Sequence, residues 1–101
     1  MGKVRVSRYK YSERASMLDD VFSTALRLKS KQEIVRFFKD LLFDSEIIML
    51  GRRLEIARML LGELTYEVIR KKLHVGVATI SAVQFGMENG YRMIQRALQE
   101  K

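Results

Sequence analysis

Apolar residues recur at steps of three and four positions along most of the chain, which is the spacing that places them on one face of a helix. No stretch of five or more residues alternates polar and apolar side chains as a half-buried strand would. The first helix is predicted to begin near Ser12 and the second at Ser30, where Glu33 completes a capping box. With no proline and only short connections, the pattern predicts an all-α fold of about six helices.

A third and longer helix carries the widest apolar surface of the chain. Asp44 or Ser45 is predicted to cap it at its N-terminus, and Gly62 is well placed as its C-terminal cap. Its apolar positions are Ile47, Leu50, Leu54, Ala57 and Leu61, flanked by Ile48, Met49, Ile56 and Leu60. Such breadth predicts a central helix packed on two sides. Because a chain of 101 residues buries a limited share of its surface alone, its 48% hydrophobic content favours a homodimer.

Two short helices around a tight break follow the long one. Thr65 is a good N-cap for a helix of about two turns, which the tripeptide His-Val-Gly at 74–76 interrupts. A second short helix is predicted over 77–85. Its inward positions are expected to be Val77, Ile80 and Val83. This spacing is that of a helix-turn-helix at 65–85, although a two-helix hairpin inside an ordinary bundle would show it too. A last amphipathic helix follows the break at 86–90.

The net charge of +7 is unevenly distributed along the chain. Residues 1–14 contain Lys3, Arg5, Arg8, Lys10 and Arg14 against Glu13 alone, and residues 52–72 contain Arg52, Arg53, Arg58, Arg70, Lys71 and Lys72 against three glutamates. We predict a flexible basic N-terminal arm at 1–14 and a single helical domain at 15–101. The charge favours a polyanionic partner, with nucleic acid ahead of an acidic membrane because the middle cluster is not a lysine-studded amphipathic helix. The helix-turn-helix spacing then indicates double-stranded DNA as that nucleic acid.

Several classes of function find no support in the composition. The absence of cysteine excludes disulfides and thiolate metal sites, and a single histidine cannot supply a zinc site of the usual kind. There is no glycine-rich phosphate loop and no nucleophile elbow, so we expect neither catalysis nor a cofactor or metal. No apolar run approaches the roughly 18 to 20 residues that cross a bilayer, and no signal peptide is evident, so a cytoplasmic location is expected.

The predicted helix-turn-helix offers the residue types that a DNA reader needs. The second helix of such a unit enters the major groove at its N-terminus. There, Ala78, Thr79 and Ser81 are small and predicted to face outward, and the methyl and hydroxyl of threonine can contact thymine methyls or base edges. Backbone N–H groups at the start of that helix can bind a phosphate. The candidates for phosphate contacts are Gly76, Arg70 and Lys71.

A family resemblance lies in three stretches, LEIARMLLGELT at 54–65, IRKKL at 69–73 and GVATIS at 76–81. Together they resemble the Trp repressor family, and especially its YerC-like branch, over about 30–101 of this chain. The resemblance implies an intertwined all-helical homodimer that binds operator DNA as a transcriptional regulator, with repression as the expected direction. It places the DNA contacts on Tyr66, Glu67 and Arg70 in the first short helix and on Val77, Ala78, Thr79 and Ser81 in the second.

The chain also departs from the family at informative positions. Tryptophan-binding members hold their ligand with two arginines; Arg52 matches the first, but Ala82 stands in place of the second. We therefore expect L-tryptophan not to bind, which leaves Arg52 as a possible effector or phosphate contact. Glu67 stands where those members read guanine with an arginine, and it could at most accept from a cytosine amino group. Gln84 and Phe85 replace basic residues of the YerC-like branch. Together with Ala82, they favour the alternative hypothesis, a helical dimer that has lost DNA reading and acts as a protein interaction module.

Overall fold

Six α-helices and one short 3-10 helix make up the regular structure of residues 4–99, the part of the chain that the computed structural model describes. The 3-10 helix spans Val6–Arg8. The α-helices are α1 (Tyr11–Ala25), α2 (Lys31–Leu41), α3 (Asp44–Leu61), α4 (Tyr66–Leu73), α5 (Val77–Asn89) and α6 (Met93–Gln99). Residues 4–99 contain no strand, so the prediction of an all-α fold with about six helices is confirmed. None of the helices in this range is both long enough and apolar enough to span a bilayer.

The described chain divides into two units, residues 4–42 and 43–99. In the first unit, α1 begins at Tyr11, one residue before the predicted start, and Glu13 accepts a hydrogen bond from the Lys10 N–H at 3.1 Å. Ser30 is the N-cap of α2 as predicted, because its hydroxyl accepts the Glu33 N–H at 3.1 Å. The predicted capping box is incomplete, since the Glu33 carboxylate accepts from the Lys29 N–H at 2.8 Å and not from the Ser30 N–H. The flexibility of the 1–14 arm and the single domain at 15–101 stay predictions, and Lys3 and Lys101 lie outside the described residues.

No side chain of residues 4–42 is buried. Val4 and Val6 instead line an open apolar hollow of about 360 Å³ together with Met17, Leu18 and Val21. Large apolar side chains elsewhere in this unit are also exposed, including Leu26 at 86% and Phe22 at 54%. The first unit therefore has amphipathic helices without a core of its own.

The second unit has a small core at the carboxyl half of α3, where α3 packs against α4, α5 and α6. The buried residues are Ile56 and Ala57 of α3, Ile69 of α4, Val75 of the following turn, and Ile80, Val83 and Met87 of α5. By contrast, the amino half of α3 leaves Ile48, Met49 and Leu50 more than half exposed. Only one end of the broad apolar surface predicted for the third helix is therefore covered within the chain.

One end of α3 differs from the prediction and the other agrees with it. The predicted N-cap, Asp44 or Ser45, is wrong, because Phe43 is the N-cap and Asp44 is already the first residue of the helix. Gly62 is the C-cap, as predicted, but its φ of −80° is open to any residue, and the left-handed residue is Glu63 with φ 63°. The Glu63 N–H donates to Leu60 O at 3.0 Å and the Leu64 N–H to Met59 O at 3.1 Å, which is a Schellman arrangement. These two bonds fix the left-handed position one residue beyond the glycine.

Glu63→Gly is expected to stabilise the protein by about 0.5–1 kcal/mol, since glycine removes the strain of a left-handed side chain at some cost in unfolded-state entropy. Gly62→Ala is the matched control and should change the free energy of unfolding by less than about 0.5 kcal/mol, because its Cβ would lie 3.4 Å from Met59 O, an ordinary contact. Urea denaturation measures both. A larger loss from Gly62→Ala than gain from Glu63→Gly would contradict this assignment.

Candidate nucleic-acid interface

The unit formed by α4, the turn and α5 has the local geometry that its sequence predicts. The Thr65 hydroxyl caps α4 by accepting the Val68 N–H at 3.3 Å. The helix ends at His74, whose φ of 54° is left-handed, and Gly76 is the N-cap of α5 with a φ of −81°. The three-residue break at 74–76 is therefore confirmed, with the histidine and not the glycine in the left-handed conformation.

The predicted end of the second short helix at 85 is wrong, because α5 continues to Asn89. Met87 is buried in the core and keeps the helix in register beyond Gly86. The Gly90 N–H then donates to Gly86 O at 2.9 Å. A Cβ on Gly90 would lie 2.6 Å from that same oxygen, so this close approach requires a glycine at the end of α5.

The predicted DNA-contacting residues lie mostly on an exposed surface of α4, the turn and α5. Tyr66 and Thr79 are half-buried, whereas the exposed members are Glu67, Arg70, Lys71, Gly76, Val77, Ala78 and Ser81. Ile80 and Val83 face the core as predicted, but the inward placement of Val77 is wrong, since its side chain is 51% exposed. The first turn of α5 thus exposes a short surface of apolar and small polar side chains, while Ile80 packs into the core on the other side of the helix.

Two adjoining hollows share the turn residues His74, Val75 and Gly76. The first, here the α4 hollow, has a volume of about 410 Å³ and is completed by Arg70 and Lys71. A Cβ on Gly76 would meet no atom of the described residues 4–99 within 4 Å, and its φ requires no glycine, so no contact in that part of the chain explains the residue. The first N–H groups of a helix have no intrahelical acceptor. A bare backbone between basic side chains suits the close approach of an anion such as a phosphate.

The second hollow, here the α3 hollow, has a volume of about 270 Å³ and is completed by Met49, Arg52, Arg53 and Thr79. Ala82 lies elsewhere, in a third hollow with Leu50, Arg53, Leu54, Val83, Gly86 and Ile94, here the α6 hollow. The structure therefore brings Arg52 together with Arg53 and the turn, but not with Ala82. Arg53 lines both the α3 hollow and the α6 hollow, which could not be inferred from the helical pattern alone.

The side chain of Lys71 is paired within its own helix. Lys71 Nζ lies 3.3 Å from Glu67 Oε1, and both side chains are largely exposed. An exposed pair of this kind is weak, so a phosphate can still compete for the ammonium group. Lys71 nonetheless presents less free positive charge than its position in the sequence indicates.

The sequence did not indicate one hydrogen bond between α4 and α5. The Tyr66 hydroxyl, at the start of α4, donates a hydrogen bond to Gln84 Oε1 on α5. Gln84 Nε2 in turn donates to Glu88 Oε1 at 2.9 Å. Eighteen residues separate Tyr66 from Gln84, and no local periodicity connects them.

Helices α4 and α5, joined by a tight turn and with small and basic side chains on one exposed surface, define a helix-turn-helix protein. The sequence profile described as Trp repressor protein matches residues 16–101, and the chain belongs to the Trp repressor family. The uncharacterized protein YerC of Bacillus subtilis is 40% identical over 85 residues, which are 84% of this chain and 82% of YerC. The resemblance predicted from the three sequence stretches is thereby confirmed.

A solved structure supports the same assignment. The crystal structure of a candidate Trp repressor from Staphylococcus aureus superposes with a TM-score of 0.73 at 28% sequence identity, covering 95% of this chain and 92% of that one. Members of the Trp repressor family are regulators rather than enzymes, and membership suggests a helical DNA-binding regulator.

Proposed function

We propose that this protein is a homodimeric transcriptional repressor that reads duplex DNA with α4 and α5. The observation that carries the proposal is the exposed surface around the turn, where Arg70 and Lys71 flank the bare backbone of Gly76 in a chain of the Trp repressor family. The basic groups bind phosphates and set the register on the duplex. The exposed start of α5 then enters the major groove, as the second helix of such units does.

The base-reading side chains of this proposal lie on the first turns of α5. Val77, Ala78 and Ser81 are exposed, so they can reach base edges directly. Thr79 is half-buried and also lines the α3 hollow with Arg52, which places it between the reading surface and that hollow. Their small size allows the helix to approach the groove closely, with room for bridging water.

The dimer is proposed from the apolar surface that one chain leaves uncovered. Residues 4–42 bury no side chain, and the amino half of α3 exposes Ile48 at 57%. Monomeric soluble proteins rarely expose large contiguous apolar patches. A second copy offers the same amphipathic faces and would cover both units.

Selection of bound fragments from a random duplex pool tests the DNA-reading proposal. Two recognition helices related by a two-fold axis should select a near-palindromic site with half-sites about one helical turn, roughly 34 Å, apart. An intact dimer that enriches no sequence would overturn the proposal. It would favour the alternative, a protein interaction module, for which Phe85 at 68% exposure is an available apolar contact.

L-Tryptophan is expected not to bind at physiological concentration, and DNA binding should proceed without it. Ala82 offers neither a cation nor a planar group to cover an indole ring. The missing contacts correspond to a loss of about a hundredfold or more in affinity. Calorimetry of the purified protein with L-tryptophan, with L-leucine as the control ligand, measures this directly. A saturable micromolar isotherm would contradict the prediction, and Arg53→Ala would then show whether Arg53, in the same hollow as Arg52, replaces the missing arginine.

A further inference from the structure

The hydrogen bond between Tyr66 and Gln84 connects α4 and α5 at a distance from their turn. Tyr66 is the first residue of α4, and the turn follows its last residue, Leu73. Gln84 lies seven residues after Val77, the first residue of α5. At about 1.5 Å of rise per residue, both partners lie about 10 Å from the turn along their own helices. The two helices and this bond therefore form the three sides of a triangle, with the turn at the corner opposite the bond.

This triangle restricts the angle between α4 and α5 more sharply than the apolar core alone does. Ile69 and Ile80, both fully buried, hold α4 and α5 together, but apolar packing is not directional. A hydrogen bond depends on distance and angle, so it restricts how far the helices can rotate about the turn. Glu88 Oε1 accepts from the Gln84 amide at 2.9 Å and holds the glutamine in the rotamer that faces Tyr66.

We propose that Gln84 is a positioning residue for DNA reading, which acts through Tyr66 and does not touch DNA. It sets the angle at which α5 leaves α4, and hence how well the start of α5 fits the groove when the basic surface of α4 lies on the backbone. The proposal rests on the proposed function. It also gives the hydroxyl of Tyr66, a residue on which the resemblance places a DNA contact, a hydrogen-bond partner within the protein.

The expected signature is a loss of discrimination without a loss of phosphate contacts. Gln84→Leu should lower the ratio of affinities for the selected site and for random duplex by about tenfold, as a single well-placed hydrogen bond can. The dependence of affinity on salt should stay unchanged, because no phosphate contact is removed. Tyr66→Phe should produce the same loss, and the double variant should lose no more than either single one.

An exchange of side chains between positions 84 and 88 provides the rescue. Gln84→Glu alone places two carboxylates one helical turn apart and should lower the ratio. Combining Gln84→Glu with Glu88→Gln restores the connection, since a carboxylate at 84 accepts from Tyr66 and an amide at 88 donates to that carboxylate. The net charge of the double variant equals that of the wild type. Its discrimination should return to within about twofold of the wild-type ratio.

Gln95→Leu is the matched control for stability. Gln95 is a half-buried glutamine on α6 whose Nε2 donates to Met87 O at 2.7 Å, so its loss also removes a contact to α5. It should lower the melting temperature but leave the affinity ratio unchanged, because the triangle between α4 and α5 stays intact. The full-length protein is used throughout, with melting temperature, affinity ratio and salt dependence measured for each variant.

Four results would overturn the positioning role while the wild type still selects a sequence. Three of them are a flattened salt dependence in Gln84→Leu, additive losses from Tyr66→Phe and Gln84→Leu, and no recovery in the exchanged pair. A lowered melting temperature with an unchanged affinity ratio would also overturn it, since Gln84 would then be structural only. A wild-type dimer that selects no sequence would instead overturn the DNA-reading proposal, and the positioning role with it.

Discussion

Phe22→Glu is expected to abolish the dimer and to lower the melting temperature sharply. Phe22 lies on the apolar face of α1 and is 54% exposed in a unit that buries no side chain. In the proposed dimer this face is covered by the second copy, so the variant would place an unpaired carboxylate in an apolar interface. Such burial costs several kcal/mol, which is a large fraction of the roughly 5–15 kcal/mol that stabilises a small domain. Sedimentation velocity at micromolar concentration and thermal melts measure the two effects.

Ser23→Glu is the matched control for this variant. It adds the same charge one position further along α1, and successive side chains on a helix point about 100° apart, so the new carboxylate faces away from the apolar stripe. The control should sediment as a dimer with a nearly unchanged melting temperature. A dimeric, stable Phe22→Glu variant would remove this face of α1 from the interface. A stably folded wild-type monomer at micromolar concentration would overturn the dimer itself.

Arg70→Ala is expected to weaken binding to all duplexes alike, by about 10- to 30-fold near physiological salt. If Arg70 contacts one phosphate in each subunit, the slope of log affinity against log salt should fall by about 0.9 per subunit, or about 1.8 per dimer. Lys71→Ala should have a smaller effect, because Glu67 lies 3.3 Å from that ammonium group and already offsets part of its charge. Titrations with the selected site and with random duplex at several salt concentrations measure both slopes.

Two further variants distinguish a phosphate contact of Arg70 from a general effect of net charge and from base reading. Arg58→Ala removes the same charge from α3, where Arg58 is paired with Glu55, and should leave the slope nearly unchanged. Thr79→Val keeps the shape but removes the hydroxyl, and should weaken only the selected site, by about 5- to 100-fold, if that hydroxyl reads a base. Equal losses on both duplexes from Thr79→Val would assign this residue to the fold. An Arg70→Ala loss confined to the selected site would assign Arg70 to base reading.

Local chemistry explains how much of the fold could be predicted from the sequence. The starts of α2 and α4 depend on side chains within three residues, Ser30 with Glu33 and Thr65 with Val68, so the caps could be identified directly. The left-handed residue after α3 could not, because two backbone bonds fix it at Glu63 and a glycine stands one residue earlier. Glycine indicates where a turn is easy, but the hydrogen bonds decide where it occurs.

Tertiary contacts account for the other differences. Gly86 lowers helix propensity by about 1 kcal/mol, yet burial of Met87 carries α5 on to Asn89. In the candidate site, residue type and order indicated most of the basic and small side chains that lie on the exposed surface, while their contacts with DNA stay predictions. The bond from Tyr66 to Gln84 joins residues on two helices whose relative angle the sequence does not state. Gln84, one of the residues that favoured the loss of DNA reading, therefore forms a hydrogen bond between α4 and α5.

The absence of buried side chains in residues 4–42 has a consequence for how the proposed regulator would respond to its own abundance. If these helices gain their core only from a second copy, folding and pairing form one equilibrium, and the melting temperature rises with protein concentration. The amount of DNA-competent dimer then varies with the square of the free chain concentration at low levels. Halving the free chain concentration would lower the concentration of dimer by about three quarters in that range. Synthesis and degradation of the chain would thus set a steeper threshold for regulation than a monomeric DNA-binding protein could have.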